Sequence, residues 1–210
     1  MNEIESIKQE ASTYFSDISP SHDWLHVKRV ANLAEELQKT EGGDLEILML
    51  SVYLHDIGRA REDNGEIEDH ATWGAKEAEK ILSDYNYREK LIKEVKHCIE
   101  AHRYSNNIKP ETVEAKILSD ADNLDAIGAS GIARTFSYSG ESQQVLANLE
   151  TPRDDEDAAK GETTLNHVRE KLLNLKDRMY TEKGLEIAEN RHKFTENFVK
   201  QFEAEMRGDL

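Results

Sequence analysis

Histidine and aspartate residues in the first half of the chain are the side chains whose types and spacing indicate chemistry. Six of the eight histidines fall between residues 22 and 102, and His55 is followed directly by Asp56. This pair closes the most apolar segment of the sequence, where an ionised aspartate costs several kcal/mol unless a positive charge meets it. A divalent cation is a suitable partner, because Zn, Fe, Mn and similar ions accept imidazole nitrogen and carboxylate oxygen together. On these two residues alone a more ordinary alternative stays open, with Asp56 exposed at a helix end and His55 packed in the core.

Two local metal motifs can be tested against the sequence, and both fail. His22 and His26 have the i, i+4 spacing of a zinc-protease helix, but Asp23 replaces the catalytic Glu of that motif. The segment that begins at Asp120 starts like a calcium loop, but its twelfth position, which should be a bidentate Glu, is Gly131. Any metal site must therefore be assembled from residues that are distant in the sequence.

The elements that must position these side chains are predicted to be helices. Apolar residues recur at helical spacing along residues 24–37, and the Gly-Gly pair at 42–43 ends that helix. Asp44 is a predicted N-cap for residues 45–57, which are apolar almost all round and therefore indicate a central, buried helix. A polar loop that is expected to be mobile follows at residues 59–69.

The second half of the chain shows the same helical periodicity, and no alternating strand is evident. Residues 150–162 have no apolar periodicity and are predicted to form an exposed insertion. We expect an all-α, single-domain bundle of about eight to ten helices. Its motif core would cover about residues 20–136, with C-terminal helices at 163–206 packing on that core.

Composition and charge limit the partners of the protein. Its 210 residues include 27 Lys and Arg against 43 Asp and Glu, a formal net charge of −16. A surface this acidic repels nucleic-acid phosphates and anionic membrane surfaces. No apolar run approaches the ~20 residues of a membrane span, and the single cysteine, Cys98, excludes an internal disulfide. We therefore expect a cytoplasmic protein without generic nucleic-acid or membrane binding, and its oligomeric state stays open.

Four blocks of the sequence stand out, namely His-Asp-Trp-Leu-His-Val-Lys-Arg-Val at 22–30, Tyr-Leu-His-Asp-Ile-Gly at 53–58, the segment 120–136, and the tail 167–194. Together they resemble the HD-domain superfamily of metal-dependent phosphohydrolases, in particular its small stand-alone bacterial and archaeal members. The family pattern is H…HD…D on an all-helical scaffold, and the resemblance extends over roughly residues 20–205. One departure is Asn123, where the subgroup usually has Arg or Lys.

Carried over position by position, the resemblance implies a metal site. Asp122 is chosen over Asp120 and Asp125 by alignment to the Ala-Asp-x-Leu core of the last family motif. Asp122 and Asp125 share a helix face at i, i+3, whereas Asp120 lies roughly on the opposite side. The site suits one divalent transition metal, Mn, Fe, Co, Ni or Zn, with Mg as an alternative and a second metal left open. The implied ligands are His26, His55, Asp56 and Asp122.

The same resemblance assigns other residues to catalysis or substrate binding. Asp56 or a nearby histidine is expected to orient or deprotonate the attacking water. Asp125, on the same helix face as Asp122, is expected to meet substrate or a histidine outside the metal's own ligand set. His70 and His102 are expected to hold phosphate oxygens, and a second-metal role stays open for both. The cations that are expected to bind an anionic substrate are Arg29, Arg59, Arg134 and Lys171.

The function that the resemblance implies is hydrolysis of a phosphoester or phosphoanhydride bond. A metal would lower the pKa of a bound water and neutralise charge that develops on phosphorus. The expected substrate is a small phosphorylated metabolite, with a nucleotide favoured. Two alternatives remain, namely a two-iron HD-type oxygenase acting on a non-phosphate substrate, and a non-catalytic, metal-binding helical regulator.

Overall fold

The computed structural model describes residues 3–16, 23–103, 106–148 and 163–209, and these residues are mostly helical. The β-type pairing within these ranges is a single bridge between Val145 and Thr163. The all-α prediction is therefore confirmed. His22 and the predicted insertion at 150–162 lie outside the described residues. In chain order the helices are α1 (Glu3–Thr13), α2 (Trp24–Glu41), α3 (Leu45–Leu54), α4 (Arg59–Asp63), α5 (His70–Asp84), α6 (Glu89–His102), α7 (Val113–Asp125), α8 (Gly128–Glu141), α9 (Thr164–Glu170), a 3₁₀ helix (Leu172–Arg178) and α10 (Glu182–Arg207).

Aspartate side chains cap the N-termini of α2, α3 and α5. Between them these helices contain His26 and His70, and α3 leads directly into His55. Asp23 accepts a hydrogen bond from the backbone N–H of His26 at 3.1 Å, at the start of α2. Asp44 caps α3, as predicted, and Asp69 caps α5. Each such cap contributes about 1 kcal/mol and fixes the residue at which its helix begins. The caps therefore place His26 and His70 in the first turns of α2 and α5.

Helix α3 is the central helix of the bundle formed by the first half of the chain. It packs against α1, α2, α5 and α6, and every residue from Ile47 to Leu54 is buried. The sequence predicts a helix through residue 57, but the α-helix ends at Leu54 and the chain turns over residues 55–58. This early turn brings His55 and Asp56 to the end of a helix that is surrounded by other helices. Both side chains are buried, with at most 3% of either exposed.

The segment that was expected to be a polar loop contains the short helix α4. Backbone N–H groups of Glu62 and Asn64 donate to the carbonyl oxygens of Gly58 and Ala60 at 3.1 Å each. Gly58 approaches α5 so closely that an added Cβ would lie 2.7 Å from the carbonyl oxygen of His70. The loop prediction is wrong for Arg59–Asp63. This helix has no buried apolar face that periodicity could reveal, and polar contacts hold it in place.

The chain divides into two compact units. The first covers residues 1–122 with 180–184, and the second covers residues 123–179 with 185–210, in each case over their described parts. The single-domain expectation, with residues 163–206 packing on the motif core, stays a prediction. No helix among the described residues is long and apolar enough to cross a membrane.

The second unit has its own interior. Phe136 packs against Phe198 and Phe202 with ring centroids 5.7 and 5.5 Å apart. An ion pair joins Arg169 to the buried Glu203, with Nη2 and Oε1 separated by 2.5 Å. Aromatic packing and this pair hold α10 against the shorter helices of its own unit.

Candidate metal centre

Residues from five parts of the first unit converge at the end of α3. His26 lies in the first turn of α2, His70 is the first residue of α5, and His102 is the last residue of α6. Asp122 lies in the last turn of α7. Together with the His55-Asp56 pair they form one cluster of four imidazoles and two carboxylates.

One half of the cluster consists of the predicted metal ligands. Nε2 of His26 lies 3.4 Å from Oδ1 of Asp122 and 3.6 Å from Oδ2 of Asp56. Nε2 of His55 lies 3.4 Å from Nε2 of His26. The ligand atoms of His26, His55 and Asp122 lie within 4.8 Å of one another. The four residues are thus brought together with their donor atoms facing one another, and their role as ligands stays a prediction.

The other half of the cluster surrounds the second oxygen of Asp56. Nε2 of His70 lies 3.1 Å from Oδ1 of Asp56, and Nε2 of His102 lies 3.8 Å from it. The two Nε2 atoms are 3.4 Å apart. His70 and His102 are thus brought against Asp56, and their expected roles at this centre stay predictions.

Hydrogen bonds at Nδ1 orient the histidine rings. Nδ1 of His55 lies 2.7 Å from the carbonyl oxygen of Val52, and Nδ1 of His102 lies 2.5 Å from that of Ile99. A carbonyl oxygen only accepts, so each Nδ1 carries the proton, and Nε2 of the neutral ring keeps its lone pair. This is the tautomer in which a histidine coordinates a metal through Nε2.

The cluster fits a bound cation. Oδ1 of Asp56 is buried and receives no hydrogen bond of regular geometry. Nε2 of His55 and Nε2 of His102, which carry lone pairs, lie 3.9 and 3.8 Å from oxygens of Asp56, which is unfavourable in a buried site without a positive charge among these atoms. Imidazole nitrogen with carboxylate oxygen is a donor set for Mn, Fe, Co, Ni or Zn.

Comparison with known proteins identifies the family. A model of the HD domain matches residues 24–127. An HD-superfamily hydrolase from Bacillus thuringiensis is 34% identical, with 98% of this chain and 97% of that chain covered and a TM-score of 0.76. The chain belongs to the HD domain family.

Two further relatives extend the comparison of this HD protein. YpgQ of Bacillus subtilis, whose function is uncharacterised, is 32% identical over 99% of this chain and 96% of its own length. The crystal structure of YpgQ in complex with ADP matches with a TM-score of 0.75, at 29% identity, and covers 99% of this chain and all of that chain. A structure described as a predicted HD-superfamily hydrolase, from an uncultured Thermotogales bacterium, matches with a TM-score of 0.65 at 32% identity, covering 98% of this chain and 92% of that chain.

Charges and burial around the HD-domain cluster keep the Asp56 carboxylate ionised and two of the histidines, His55 and His102, neutral. Burial opposes ionisation of Asp56, but the Arg59 guanidinium and the neighbouring histidines hold the pKa of this carboxyl well below its usual range. Burial lowers the pKa of His55 and lowers that of His102 to about 4. Burial also acts against His70, but the carboxylate of Asp56 outweighs it and raises the pKa of His70.

Arg59, a residue predicted to bind an anionic substrate, lies beside the cluster in the first unit of the HD protein. Its Nε atom lies 3.8 Å from Oδ2 of Asp56 and is buried without a hydrogen-bond partner. Its Nη1 atom donates to Oε2 of Glu62 at 2.8 Å. One edge of the guanidinium is thus fixed, and Nε is left with an unused proton beside the carboxylate.

A third possible metal site already contains a positive charge, the guanidinium of Arg103. Glu62, Asp69 and His70 have the ligand types and proximity of a metal site. Nη1 of Arg103, however, donates to Oε1 of Glu62 and, at 2.7 Å, to Oδ2 of Asp69. The guanidinium supplies the positive charge that a metal would bring. The sequence analysis did not identify Glu62 or Arg103. The one available signal was that Arg103 directly follows His102, a predicted site residue.

Asp120, the alternative to Asp122, is used elsewhere. Its carboxylate accepts hydrogen bonds from the backbone N–H groups of Tyr180 and Thr181 at 2.8 Å each and from the Thr181 hydroxyl at 2.7 Å. These groups immediately precede α10, so Asp120 holds the start of that helix. Its full set of partners supports the choice of Asp122 as the ligand.

The remaining predicted residues lie as follows. In the second unit, Nη1 of Arg134 donates to Oδ2 of the buried Asp125 at 2.7 Å. Lys171 is exposed where α9 ends, and Arg29 is half-buried on α2. The assignment of these four residues to catalysis or substrate stays a prediction.

Proposed function

We propose that the chain is a divalent-metal-dependent phosphohydrolase that acts on a small phosphorylated metabolite, with nucleotides as the first substrate class to test. The observation that carries the proposal is the buried carboxylate of Asp56, which has one oxygen beside His26 and the other beside His70. Family membership supports hydrolysis, since relatives of similar length are described as hydrolases.

Four predicted ligands would hold the metal of such a site. They are His26, His55, Asp56 and Asp122, and the metal is a divalent cation. That cation would supply Lewis acidity and a water of lowered pKa near neutral pH. Asp122, whose side chain is 30% exposed, leaves the cluster accessible from solvent at that side. A substrate phosphate can therefore reach a centre whose other acids and histidines are buried.

Arg59 is the residue of this chain best placed to hold the substrate phosphate. Its unpartnered Nε proton lies next to Asp56, and a guanidinium donates well to phosphate oxygens. Because the chain carries a net charge of −16, a local cation is needed to attract an anionic substrate. Glu62 fixes the other edge of the guanidinium and would keep it in place as substrate binds.

A nucleotide is favoured within the phosphorylated metabolites. The related YpgQ of Bacillus subtilis has been crystallised with ADP, a ligand that combines a base with a diphosphate. The proposal carries over to this chain only the chemistry of that ligand.

Metal analysis combined with a phosphate-release screen tests the proposed function. Metal-free protein would be loaded with Mn²⁺, Mg²⁺, Co²⁺ or Ni²⁺ and assayed against nucleoside mono-, di- and triphosphates and sugar phosphates. Both inorganic phosphate and pyrophosphate would be measured, so that the bond that is cleaved is identified. We expect turnover with at least one transition metal and none in His55→Ala. Normal metal binding without turnover across the panel would instead favour the non-catalytic regulator.

A two-metal centre is the second candidate, and it would admit the two-iron oxygenase. The observation in its favour is that His70 and His102 flank Oδ1 of Asp56. The Nδ1 proton of His102 is used by a carbonyl, so its neutral ring offers a lone pair, not a proton, to a ligand. That arrangement favours metal binding over phosphate binding for His102. Two irons per chain, with oxygen uptake on a non-phosphate substrate, would support the oxygenase; two ions with phosphate release would support a dinuclear hydrolase.

A further inference from the structure

Glu62 on α4 makes the contact that orients His70. Only 15% of the Glu62 side chain is exposed. Its Oε2 atom lies 2.7 Å from Nδ1 of His70 and accepts from Nη1 of Arg59 at 2.8 Å. Its Oε1 atom accepts from Arg103. Each oxygen of this carboxylate therefore has a charged or polar partner.

The contact decides which nitrogen of His70 carries a proton. Nη1 of Arg103 also lies 3.2 Å from Nδ1 of His70, but the carboxylate contact is the shorter one at 2.7 Å. Because a carboxylate oxygen only accepts, Nδ1 of His70 carries the proton in that contact, and Arg103 directs its hydrogen bonds to Glu62 and Asp69. When the ring is neutral, Nε2 is then the atom with the lone pair, and it faces Oδ1 of Asp56 at 3.1 Å. A carboxylate behind a histidine in this way fixes its tautomer and ring orientation and raises its basicity as a ligand.

Arg103 fixes Glu62 relative to the helix that carries His70. The same Nη1 atom donates to Oδ2 of Asp69 at 2.7 Å, and Oδ1 of Asp69 caps α5 through the backbone N–H of Thr72 at 2.6 Å. His70 follows Asp69 directly. The chain of contacts from Glu62 through Arg103 to Asp69 thus connects α4, the end of α6 and the first turn of α5.

We propose that Glu62 is a positioning residue that holds His70 in the Nδ1–H tautomer and directs its Nε2 atom to the Oδ1 side of Asp56. The inference rests on the proposed function, because it concerns the same metal centre. It adds a residue that neither the family pattern nor the sequence assigns, in a segment without apolar periodicity. Glu62 acts through His70 and touches neither metal nor substrate in this role.

Two substitutions at Glu62 and one control test the role. Glu62→Leu removes both acceptor oxygens at similar volume, and Glu62→Gln keeps one neutral acceptor. Glu66→Gln is the control, because Glu66 is an exposed acid on the same segment, paired with Arg61 at 3.0 Å. Mn²⁺ affinity would be measured by titrating metal-free protein and following free Mn²⁺ by electron paramagnetic resonance. The tautomer of His70 would be determined by ¹⁵N NMR of the metal-free protein at alkaline pH, with the His70 signals identified by their absence in His70→Gln.

The expected results separate positioning from a merely structural role. Glu62→Leu should lose the Nδ1–H signature of His70. In a two-metal centre, where His70 is itself a ligand, the variant should also bind Mn²⁺ about 10- to 100-fold more weakly. Glu62→Gln should show a smaller loss of both, and it carries the test if the leucine variant does not fold. Glu66→Gln should match the parent in both measurements.

Retention of the parent Mn²⁺ affinity and of the Nδ1–H signature in the Glu62 variants would overturn the inference, even if their melting temperatures fall. If the parent itself binds no divalent metal, the proposed function fails instead. The NMR measurement on metal-free protein still decides the positioning role in that case.

Discussion

Oδ1 of Asp56 lies 3.1 Å from Nε2 of His70, while Oδ2 of the same carboxylate lies 3.6 Å from Nε2 of His26. One buried carboxylate thus faces two different sets of imidazole nitrogens. A carboxylate in this position can serve one ion or bridge two. The number of ions bound per chain is therefore the property that most directly tests the geometry.

Asp56→Ala is expected to abolish metal binding and the stability that depends on metal. An ion that binds only the folded state stabilises it by RT ln(1 + [L]/Kd), about 2.7 kcal/mol at a hundredfold excess over Kd. Added Mn²⁺ should raise the melting temperature of the parent, and a chelator should reverse the increase. Neither treatment should affect Asp56→Ala.

Asp63→Ala is the matched control for that experiment, because Asp63 is an exposed aspartate on α4. It should respond to Mn²⁺ and to chelator as the parent does. A parent whose melting temperature ignores both additions would argue against a metal centre at Asp56.

His102→Ala is expected to lower metal occupancy by about one ion per chain if two ions bind. The reason is that Nδ1 of His102 donates to a carbonyl, so that Nε2 is available as a ligand atom. Metal content and kcat would be measured on the same preparations. His97→Ala is the control, since Nε2 of His97 accepts a hydrogen bond from the backbone of Glu111 at 3.0 Å. A His102→Ala variant with unchanged metal content and a rate loss of about 10²- to 10³-fold would instead support the phosphate-holding role.

Acid is expected to destabilise the metal-free protein through His102. Burial lowers the pKa of His102 in the folded state to about 4, whereas an unfolded histidine titrates near ~6.5. Between these values the unfolded chain binds more protons, so the free energy of unfolding decreases as the pH falls. The full difference corresponds to about 3 kcal/mol.

Urea unfolding in the presence of chelator, at pH 7 and at pH 4.5, measures this contribution. His102→Asn keeps a donor near Ile99 but cannot titrate, so it should lose about 2–3 kcal/mol less than the parent on acidification. His70 acts in the opposite direction, since its raised folded-state pKa stabilises the protein at low pH. It is present in both proteins, so the comparison reports His102 together with its coupling to His70. Equal losses in parent and variant would mean that His102 is not held neutral by burial.

Asp120 and Asp122 are expected to respond oppositely to substitution. Asp120→Ala removes the acceptor of the buried Thr181 N–H and hydroxyl and of the partly buried Tyr180 N–H. The loss should cost about 2–4 kcal/mol and lower the melting temperature by roughly 5–15 °C. The metal content of Asp120→Ala should stay at the parent value. Asp122→Ala should lose metal, with a small change in the stability of the metal-free protein. The reverse pattern, measured by metal analysis and thermal unfolding, would make Asp120 the ligand.

The sequence alone was sufficient for the features that depend on near neighbours. Asp44 as an N-cap and the uniformly apolar residues after it predict a buried helix, because caps and helical periodicity involve residues one to four positions apart. That helix already indicates why His55 and Asp56 are unusual. Family resemblance then selected Asp122 over Asp120 as the predicted ligand, and the hydrogen bonds of Asp120 to Thr181 are consistent with that choice.

Tertiary structure alone decided which residues from distant parts of the sequence lie against the carboxylate of Asp56. His70 and His102 begin and end different helices, and only the packing of α5 against α6 brings their Nε2 atoms to 3.4 Å. Glu62 lies in a segment with no apolar pattern, and its role depends on contacts with His70 and Arg103. Local periodicity records which face of a helix is buried, whereas the pairing of polar atoms across helices depends on how those faces pack. The side-chain types of the predicted ligands could therefore be read from the sequence, and the grouping of these side chains around the two oxygens of Asp56 was set by packing.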